Sequence, residues 1–339
     1  MTDVFCDWIT IYEDHPEGGL PIINDGAVWA VDSDGQVEWR TEKKFTHVGS
    51  YDTKIRIMCN GYRVSVDGNI GRFGRADNVF GYSVRDCVLK LNSLLATFGL
   101  PPFTFGLGLF NPNEGGIVTT GAIITRVDLT KNYVTGSPRQ AARIVSYFAG
   151  QDAGRRATVM QYGDSGVSWN EGSKYWYSKL YVKGESLGDH ADPQLAEWVT
   201  AQGVIRHEIS LKSRYLAQNN LRQILDWYHN EGTESMENIV YGRFAEVLER
   251  GTAVEHPLEQ MPRKLRQLFN DWRTGTDLWH DDSVSDRTRR TWRKQLLPYG
   301  IDIKQPSNAV RLATRVEVIK MQALEAPAWY WQQQHRLAA

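Results

Sequence analysis

The strongest constraint on the fold is a strand-like pattern that fills most of the first 212 residues. Short β-branched or alternating apolar runs are separated there by clusters of Gly, Asn, Asp and Pro, which is typical of strands joined by turns. The clearest runs are residues 5–12, 27–31, 53–59, 62–66, 121–130, 173–183 and 203–212. Two segments with helical signals, 86–99 and 137–150, interrupt them. This mixture predicts an α+β domain built around a largely antiparallel sheet with flanking helices.

The pattern changes after about residue 213, where amphipathic helical segments that stop at glycines take over. The last of these, at about 285–297, is followed by a strand, a polar turn and another strand. Helices followed by a two-stranded wing are typical of a winged helix-turn-helix domain. We therefore predict an α+β domain over 1–235, a mainly helical winged-helix domain over 236–325 and a C-terminal tail over 326–339.

Charge and cysteine content restrict the partners and the compartment. The 39 Lys and Arg residues nearly cancel the 40 Asp and Glu residues, which leaves a formal net charge of −1. A nucleic-acid partner would therefore have to bind local basic patches. The three cysteines, Cys6, Cys59 and Cys87, show no CxxC spacing, which argues against a disulfide framework or a thiolate zinc site and favours a reducing cytoplasm. No apolar run approaches the roughly 20 residues that cross a bilayer, so we expect no membrane partner.

Period-two alternation determines which side chains share a face of each strand. On the polar faces of three segments it places Arg126 and Asp128; Tyr177, Lys179, Tyr181, Lys183 and Glu185; and Arg206, Glu208, Ser210 and Lys212. If these strands are neighbours with their polar faces aligned, Asp128, Glu185 and Glu208 converge beside Tyr181. His207 falls on an apolar face, and the chain has neither His-x-His nor HExxH spacing, so we expect a core histidine rather than a metal ligand.

Such a group of side chains has a recognised chemical use. Two or three carboxylates bind a hard divalent cation, usually Mg²⁺ or Mn²⁺, which would polarise a phosphodiester and offset the negative charge of its transition state. A nearby tyrosine hydroxyl can then attack phosphorus, and Lys183 would help to deprotonate it, because tyrosine ionises only at about pH 10. The competing interpretation is structural, since Lys, Glu and Tyr also occupy strand faces simply because those faces meet water.

Five segments carry a resemblance to a known family. In chain order they are DNVFGY (77–82), ITRVDLT (124–130), VSWNEGSKYWYSKLYVKGES (167–186), VIRHEISLKSRYL (204–216) and SVSDRTRRTWRKQLLPYGIDI (284–302). Together they resemble the rolling-circle replication initiators of filamentous bacteriophages, the gene II/X family. The resemblance implies a sheet of the permuted rolling-circle nuclease type. It also implies an endonuclease that nicks one strand of a double-stranded replicative form at its origin and later joins the displaced strand.

The resemblance further implies roles for individual residues. The family's nucleophile is the tyrosine of a Tyr-x-Lys segment, here Tyr181, which would form a 5′-phosphotyrosine intermediate; Tyr175 and Tyr177 are rival nucleophiles. The matching acids are Asp128 and Glu208, with Glu185 following the tyrosine strand. Many rolling-circle enzymes bind their metal through a His-hydrophobic-His motif. This chain has no such motif, so a Mg²⁺ or Mn²⁺ site built from carboxylates is expected.

The partners implied by the resemblance are double-stranded phage origin DNA and single-stranded DNA, together with a helicase and a DNA polymerase of the bacterial host. The cytoplasm of that host would be the place of action, and a homodimer on the DNA is one arrangement. The family also often makes a shorter product from an internal start, for which Met236, Met261 or any other methionine could serve.

Two segments are candidates for DNA contact. The glycine-rich loop 65–81 carries Arg72 and Arg75 and would suit close approach to phosphates, although a plain hairpin turn explains the same composition. Residues 287–294 of the last predicted helix include five basic residues, of which Arg287, Arg290 and Lys294 share one face. That face would contact phosphates and base edges, or else simply be solvated. Two more candidates, Arg126 and Arg206, lie on the polar strand faces.

Two other functions fit the same residues. A non-catalytic winged-helix regulator would bind DNA without needing Tyr181 beside acidic strands, and a metal-dependent nuclease would use water in place of the tyrosine. Nicking of origin DNA separates the enzyme from the regulator. Attachment of the cut 5′ end to protein separates the tyrosine from water.

Overall fold

The computed structural model describes residues 3–106, 108–112, 115–149, 159–162, 166–228, 233–252, 261–296, 299, 301–304 and 321–331. Its strands are β1 (Val4–Asp14), β2 (Ile22–Ile23), β3 (Ala27–Val31), β4 (Val37–Glu42), β5 (Phe45–Val48), β6 (Lys54–Asn60), β7 (Arg63–Gly68), β8 (Gly108–Asn111), β9 (Gly116–Thr119), β10 (Ile123–Val134), β11 (Val159–Tyr162), β12 (Gly166–Trp169), β13 (Trp176–Val182), β14 (Val204–Lys212) and β15 (Gln322–Ala323). Its helices are α1 (Val84–Thr97), α2 (Pro138–Ala149), α3 (Pro193–Ala201), α4 (Ser213–Gln218), α5 (Met236–Thr252), α6 (Arg263–Arg273) and α7 (Asp286–Leu296). All the strands and helices predicted for the first 212 residues are present, with ends shifted by a few residues.

One large antiparallel sheet organises the chain. Nine strands follow one another in the order β11-β12-β13-β14-β10-β1-β7-β6-β2, while β15 pairs with β10 and β5 pairs with β6. The described strand pairings are all antiparallel. Strands β3 and β4 form a separate two-stranded sheet, and so do β8 and β9. The predicted mixture of helices with a large antiparallel sheet is therefore confirmed.

The central strands are buried on both faces. Every residue of β14 except Lys212 is buried. Helix α1 begins where the Ser83 hydroxyl accepts a hydrogen bond from the backbone of Asp86, and it packs Leu91 and Leu95 into the core beneath β1 and β7. Helix α2 covers β12 and β13 on the other part of the sheet. A polar residue on β14 therefore lies inside the protein, which its place in an alternating sequence cannot reveal.

The predicted domain boundary at residue 235/236 is wrong. Helix α5 belongs to the sheet domain, because Val240 and Tyr241 are buried in the same core as α1 and β1. The side chain of Glu237, which is fully buried, accepts a hydrogen bond from the backbone N–H of Val84. An amphipathic pattern shows that a helix buries one face but not which surface covers that face.

A separate hydrophobic core begins further along the chain. It is formed around α6 and α7 by Met261, Leu265, Leu268, Phe269, Trp272, Leu278, Leu296, Ile301 and Ile303. We call residues 261–304 the helical unit. The predicted wing falls mainly on residues 305–320, outside the described residues, and residues 301–304 form no strand.

The C-terminal segment, residues 321–331, returns to the large sheet. Strand β15 pairs with the end of β10, and the backbone N–H of Leu324 donates to the carbonyl of Asn132 at 3.0 Å. Tyr330 is 1% exposed and packs edge-on against Phe80. The prediction of a tail over 326–339 is therefore wrong for residues 326–331. Tyr330 is buried against the loop that precedes α1, far away in the sequence, and Trp329 and Trp331 are partly buried beside it. No local pattern records such contacts.

Candidate active site

The polar faces of β13 and β14 line a cavity of about 650 Å³. Its polar lining consists mainly of Asp7, Arg72, Asn78, Tyr177, Lys179, Tyr181, Lys183, Glu185 and Glu208. The sequence analysis required these strands to be neighbours with aligned polar faces. Strand β14 pairs with β10 on one side and with β13 on the other, in register. Lys179 lies opposite Glu208, and Tyr181 lies opposite Arg206.

Tyr181 and Glu208 are joined by a short hydrogen bond. The Tyr181 hydroxyl donates to Oε1 of Glu208 at 2.5 Å. Burial raises the pKa of Tyr181; Arg206 opposes this effect and the charge of Glu208 adds to it. The hydroxyl therefore keeps its proton at neutral pH, and an acceptor for that proton is already in contact with it.

Glu208 is held as a carboxylate. Its Oε2 lies 2.7 Å from Nζ of Lys179. Burial by itself raises the pKa of Glu208, but Lys179 and Arg206 outweigh burial, so the pKa lies below its ordinary value. Glu208 is thus ionised at neutral pH and able to accept a proton from Tyr181 when the hydroxyl reacts.

Lys183 and Glu185 depart from the predicted alternation. Strand β13 ends at Val182, and the chain turns through the single 3₁₀ turn Gly184–Ser186, so Glu185 is exposed at the cavity rim. Lys183 is only 2% exposed, and its Nζ donates to Oδ1 of Asn78 at 2.9 Å. Burial, and then the charge of Arg206, lower the pKa of Lys183 to about 7. Both residues still line the cavity, although not as members of one strand face.

Asp7 is a cavity residue that the sequence analysis missed. It lies where the pairing of β1 with β10 shifts register, between Cys6 and Trp8. Its Oδ1 accepts hydrogen bonds from the side-chain amides of Asn69 (2.9 Å) and Asn78 (3.0 Å). Burial, and then the charge of Glu208, raise the pKa of Asp7 against the opposing effect of Arg206. The available signal was an acidic residue inside the otherwise apolar run FCDWITIY.

Asp128 is not brought into the cavity. It lies opposite Ser210, which is two residues along β14 from Glu208. Both of its oxygens accept hydrogen bonds from Arg126, at 2.8 and 2.6 Å. The predicted convergence beside Tyr181 is therefore wrong for Asp128, because its neighbour on the same strand face already neutralises it. The Arg126 guanidinium therefore points toward Asp128.

The acids that line the cavity are Asp7, Glu171, Glu185 and Glu208, and the charge of Glu208 acts on the pKa of Asp7. In the described ranges, no three His, Cys, Asp or Glu side chains group closely enough to hold a metal ion by themselves. Mg²⁺ is usually held by one or two carboxylates, with phosphate oxygens and water completing its shell. Asp7 fits that mode of binding, with bound DNA supplying further oxygens. Glu208 would join it by exchanging its contact with Lys179 or Tyr181 for the ion.

Two of the arginines predicted to bind DNA are structural instead. Arg206 is 0% exposed, and it donates to Oδ1 of Asn132 at 2.8 Å and to the backbone carbonyls of Asn78 and Val79. Arg75 is buried and donates to the carbonyl of Gly71 and to the Tyr330 hydroxyl. Both predictions are wrong, because the strand and loop that carry these arginines are covered by other segments. Arg72 is half-buried and lines the cavity.

The glycine-rich loop is packed rather than open. A side chain at Gly81 would collide with the ring of Phe5, and one at Gly71 would lie 2.9 Å from the carbonyl of Cys6. These glycines permit close packing of the loop on β1, so the idea that they serve approach to phosphates is not supported.

Three of the five basic residues of α7 occupy one exposed face, as predicted. Arg287, Arg290 and Lys294 line a shallow groove of about 410 Å³. Arg290 forms an ion pair with Asp286 at 2.9 Å. Arg293, in contrast, is turned inward and forms a bidentate pair with Asp302 at 2.8 and 2.9 Å.

His207 is a core residue, as predicted. It is 2% exposed, its Nδ1 lies 2.7 Å from the Tyr241 hydroxyl, and burial lowers its pKa to about 3. The ring is therefore neutral at physiological pH.

Comparisons with known proteins find a family and two relatives that share one description, replication-associated protein. Residues 1–230 match the Phage CRI family, which is described as the N-terminal part of a replication-associated protein. The chain is 26% identical over 322 residues to the replication-associated protein of Escherichia phage If1, covering 83% of this chain and 98% of the relative. It is 24% identical over 344 residues to the protein of the same name from Enterobacteria phage I2-2, covering 93% of this chain and 92% of the relative.

A solved structure of a rolling circle replication initiator protein from Geobacillus stearothermophilus is similar at 9% identity with a TM-score of 0.30, covering 64% of this chain and 78% of the other. A likeness of this degree carries no argument for fold or function. No helix in the described ranges combines the length and the apolar character that crossing a bilayer requires.

Proposed function

The chain belongs to the Phage CRI family of replication-associated proteins, and we propose that it nicks and rejoins one strand of a double-stranded phage origin to start and end rolling-circle replication. The observation that carries this proposal is the Tyr181 hydroxyl, which lies in a polar cavity with its proton directed at Glu208. A DNA-binding regulator would have no use for a nucleophile and a proton acceptor in contact.

The chemistry proposed for the cavity uses its own proton acceptor and donor. As Oη of Tyr181 attacks phosphorus, its proton moves to Oε1 of Glu208. The bond from phosphorus to the 3′-oxygen breaks, and that oxygen takes a proton from Lys183, whose pKa of about 7 suits the transfer. The products are a 5′-phosphotyrosine and a free 3′-hydroxyl. Rejoining reverses each step.

Asp7 and Glu208 would hold a Mg²⁺ or Mn²⁺ ion, with Glu185 at the rim. When bound, the ion would polarise the phosphodiester and offset the charge on its oxygens. Arg72 and Lys183 would add positive charge in the same cavity, which favours binding of a phosphate group.

A supercoiled plasmid that carries the phage origin tests the proposed function. With Mg²⁺ or Mn²⁺, we expect conversion to the open circle and a labelled 5′ end that stays attached to protein in denaturing gels. Specific binding without nicking would favour the regulator. Nicking whose 5′ end never becomes attached to protein would favour hydrolysis by water.

Substitution of the acids should identify the metal ligands. In Tyr181→Phe protein bound to an origin oligonucleotide, we expect Asp7→Asn and Glu208→Gln each to weaken Mn²⁺ binding by about tenfold or more, measured by calorimetric titration. Asp128→Asn is the matched control, because Asp128 is not among the residues that line the cavity. An equal loss in the control would return Asp128 to the metal site.

We propose that α7 contacts the origin duplex. Replacing Arg287, Arg290 and Lys294 by Ala should weaken duplex binding and reduce the slope of log K against log salt by about 1 for each phosphate that is no longer neutralised. Fluorescence anisotropy at several salt concentrations measures this slope. The control is Arg263→Ala with Lys264→Ala, two exposed bases on α6 of the same helical unit. Equal slopes in the two variants would show that α7 faces away from DNA.

A further inference from the structure

The Asn78 side chain links two residues of the cavity. Its Nδ2 donates to Oδ1 of Asp7 at 3.0 Å, and its Oδ1 accepts from Nζ of Lys183 at 2.9 Å. A carboxylate needs a donor and an ammonium group needs an acceptor, and a side-chain amide supplies both at once. Neither an acidic nor a basic side chain could satisfy Asp7 and Lys183 together from this position.

The loop that carries Asn78 is held from several sides. Arg206 donates to the backbone carbonyls of Asn78 and Val79, and the Asn132 side chain also donates to the carbonyl of Val79. The carboxylate of Asp77 accepts from the backbone N–H of Val79 at 2.9 Å and from the Tyr330 hydroxyl at 2.7 Å. The Asn78 amide is thus presented to the cavity by a loop with little freedom to move.

We propose that Asn78 is a positioning residue of the nicking reaction, which keeps the Lys183 ammonium and the Asp7 carboxylate at defined places in the cavity. The inference rests on the proposed function. A lysine side chain is a flexible four-carbon stem, so its ammonium group is well placed only where an acceptor holds it. Misplacement of a reacting group by about 1 Å can reduce the rate by about 100-fold.

Single-turnover cleavage of a single-stranded origin oligonucleotide tests this role. We expect Asn78→Ala to lower the cleavage rate by about 10- to 100-fold, with the Kd for DNA changed by less than about threefold. The matched control is Asn69→Ala, since Asn69 donates to the same oxygen of Asp7 without contacting Lys183; its loss of rate should be smaller. Asn78→Asp, which has the same size and keeps an acceptor for Lys183, covers the case in which the alanine variant does not fold.

A double-mutant cycle distinguishes positioning from general support of the fold. Because Asn78 acts in part through Lys183, Asn78→Ala should slow cleavage by Lys183→Met protein less than it slows cleavage by the wild type. Fully additive losses, or an unchanged rate in both Asn78 variants, would overturn the inference alone. Wild-type protein that does not cleave would overturn the proposed function itself, and the inference with it.

Discussion

Replacement of Tyr181 by Phe is expected to lower nicking by about 1000-fold or more, since removal of a nucleophile leaves only the contributions of binding and electrostatics. The covalent link between protein and the 5′ end should disappear with it. The fold should survive, because the lost hydroxyl donates a single hydrogen bond to the Glu208 carboxylate, and a bond to a charged group contributes about 1.5–3 kcal/mol of stability. Conversion of supercoiled origin plasmid and the denaturing gel give the two measurements.

Tyr177→Phe is the matched control for this prediction. Tyr177 lines the same cavity, but it lies opposite Ser210, and Nζ of Lys212 sits 5.2 Å from its ring centre. Its environment differs from that of Tyr181, whose hydroxyl has a carboxylate in contact. We therefore expect Tyr177→Phe to keep the covalent link. The opposite pattern, with activity in Tyr181→Phe and none in Tyr177→Phe, would move the nucleophile to Tyr177.

Replacement of Arg206 by Ala is expected to destabilise the fold by about 3–5 kcal/mol, because it leaves buried acceptors without their donor. The acceptors are Oδ1 of Asn132 and the carbonyl of Asn78, whereas the carbonyl of Val79 also accepts from the Asn132 side chain. Chemical denaturation followed by circular dichroism measures the free energy of unfolding.

Arg72→Ala is the comparison for Arg206→Ala, since both arginines are DNA-binding candidates by sequence. Arg72 lines the cavity and is half-buried, so we expect its loss to cost less than about 1 kcal/mol of stability while weakening DNA binding. A stable Arg206→Ala protein with selectively weakened DNA binding would contradict the structural role of Arg206.

The sequence predicted correctly which side chains of β13 and β14 share a face. Side chains alternate along a strand with a period of two, so Tyr181, Lys179 and Glu208 had to share a face once the strands paired. The same reasoning failed at Lys183 and Glu185, because the strand ends at Val182. Alternation holds only while the backbone stays extended, and the end of a strand depends on what packs against it.

Other parts of the site depended on contacts between residues that are distant in the sequence. Asp7 reaches the cavity through a register shift, and Asn78 reaches it through a loop held by Arg206. Tyr330, from the C-terminal segment, completes the support of that loop. Local patterns do not record such contacts, because each one joins separate elements of the fold.

The sequence by itself thus determined the local features: the strands, their polar and apolar faces, the exposed basic face of α7, and a tyrosine beside a glutamate. The tertiary structure alone decided which polar residues are buried, which acids meet, and where the domains divide. The physical reason is that periodicity records which side chains share a face, whereas the packing of the whole chain decides what covers that face.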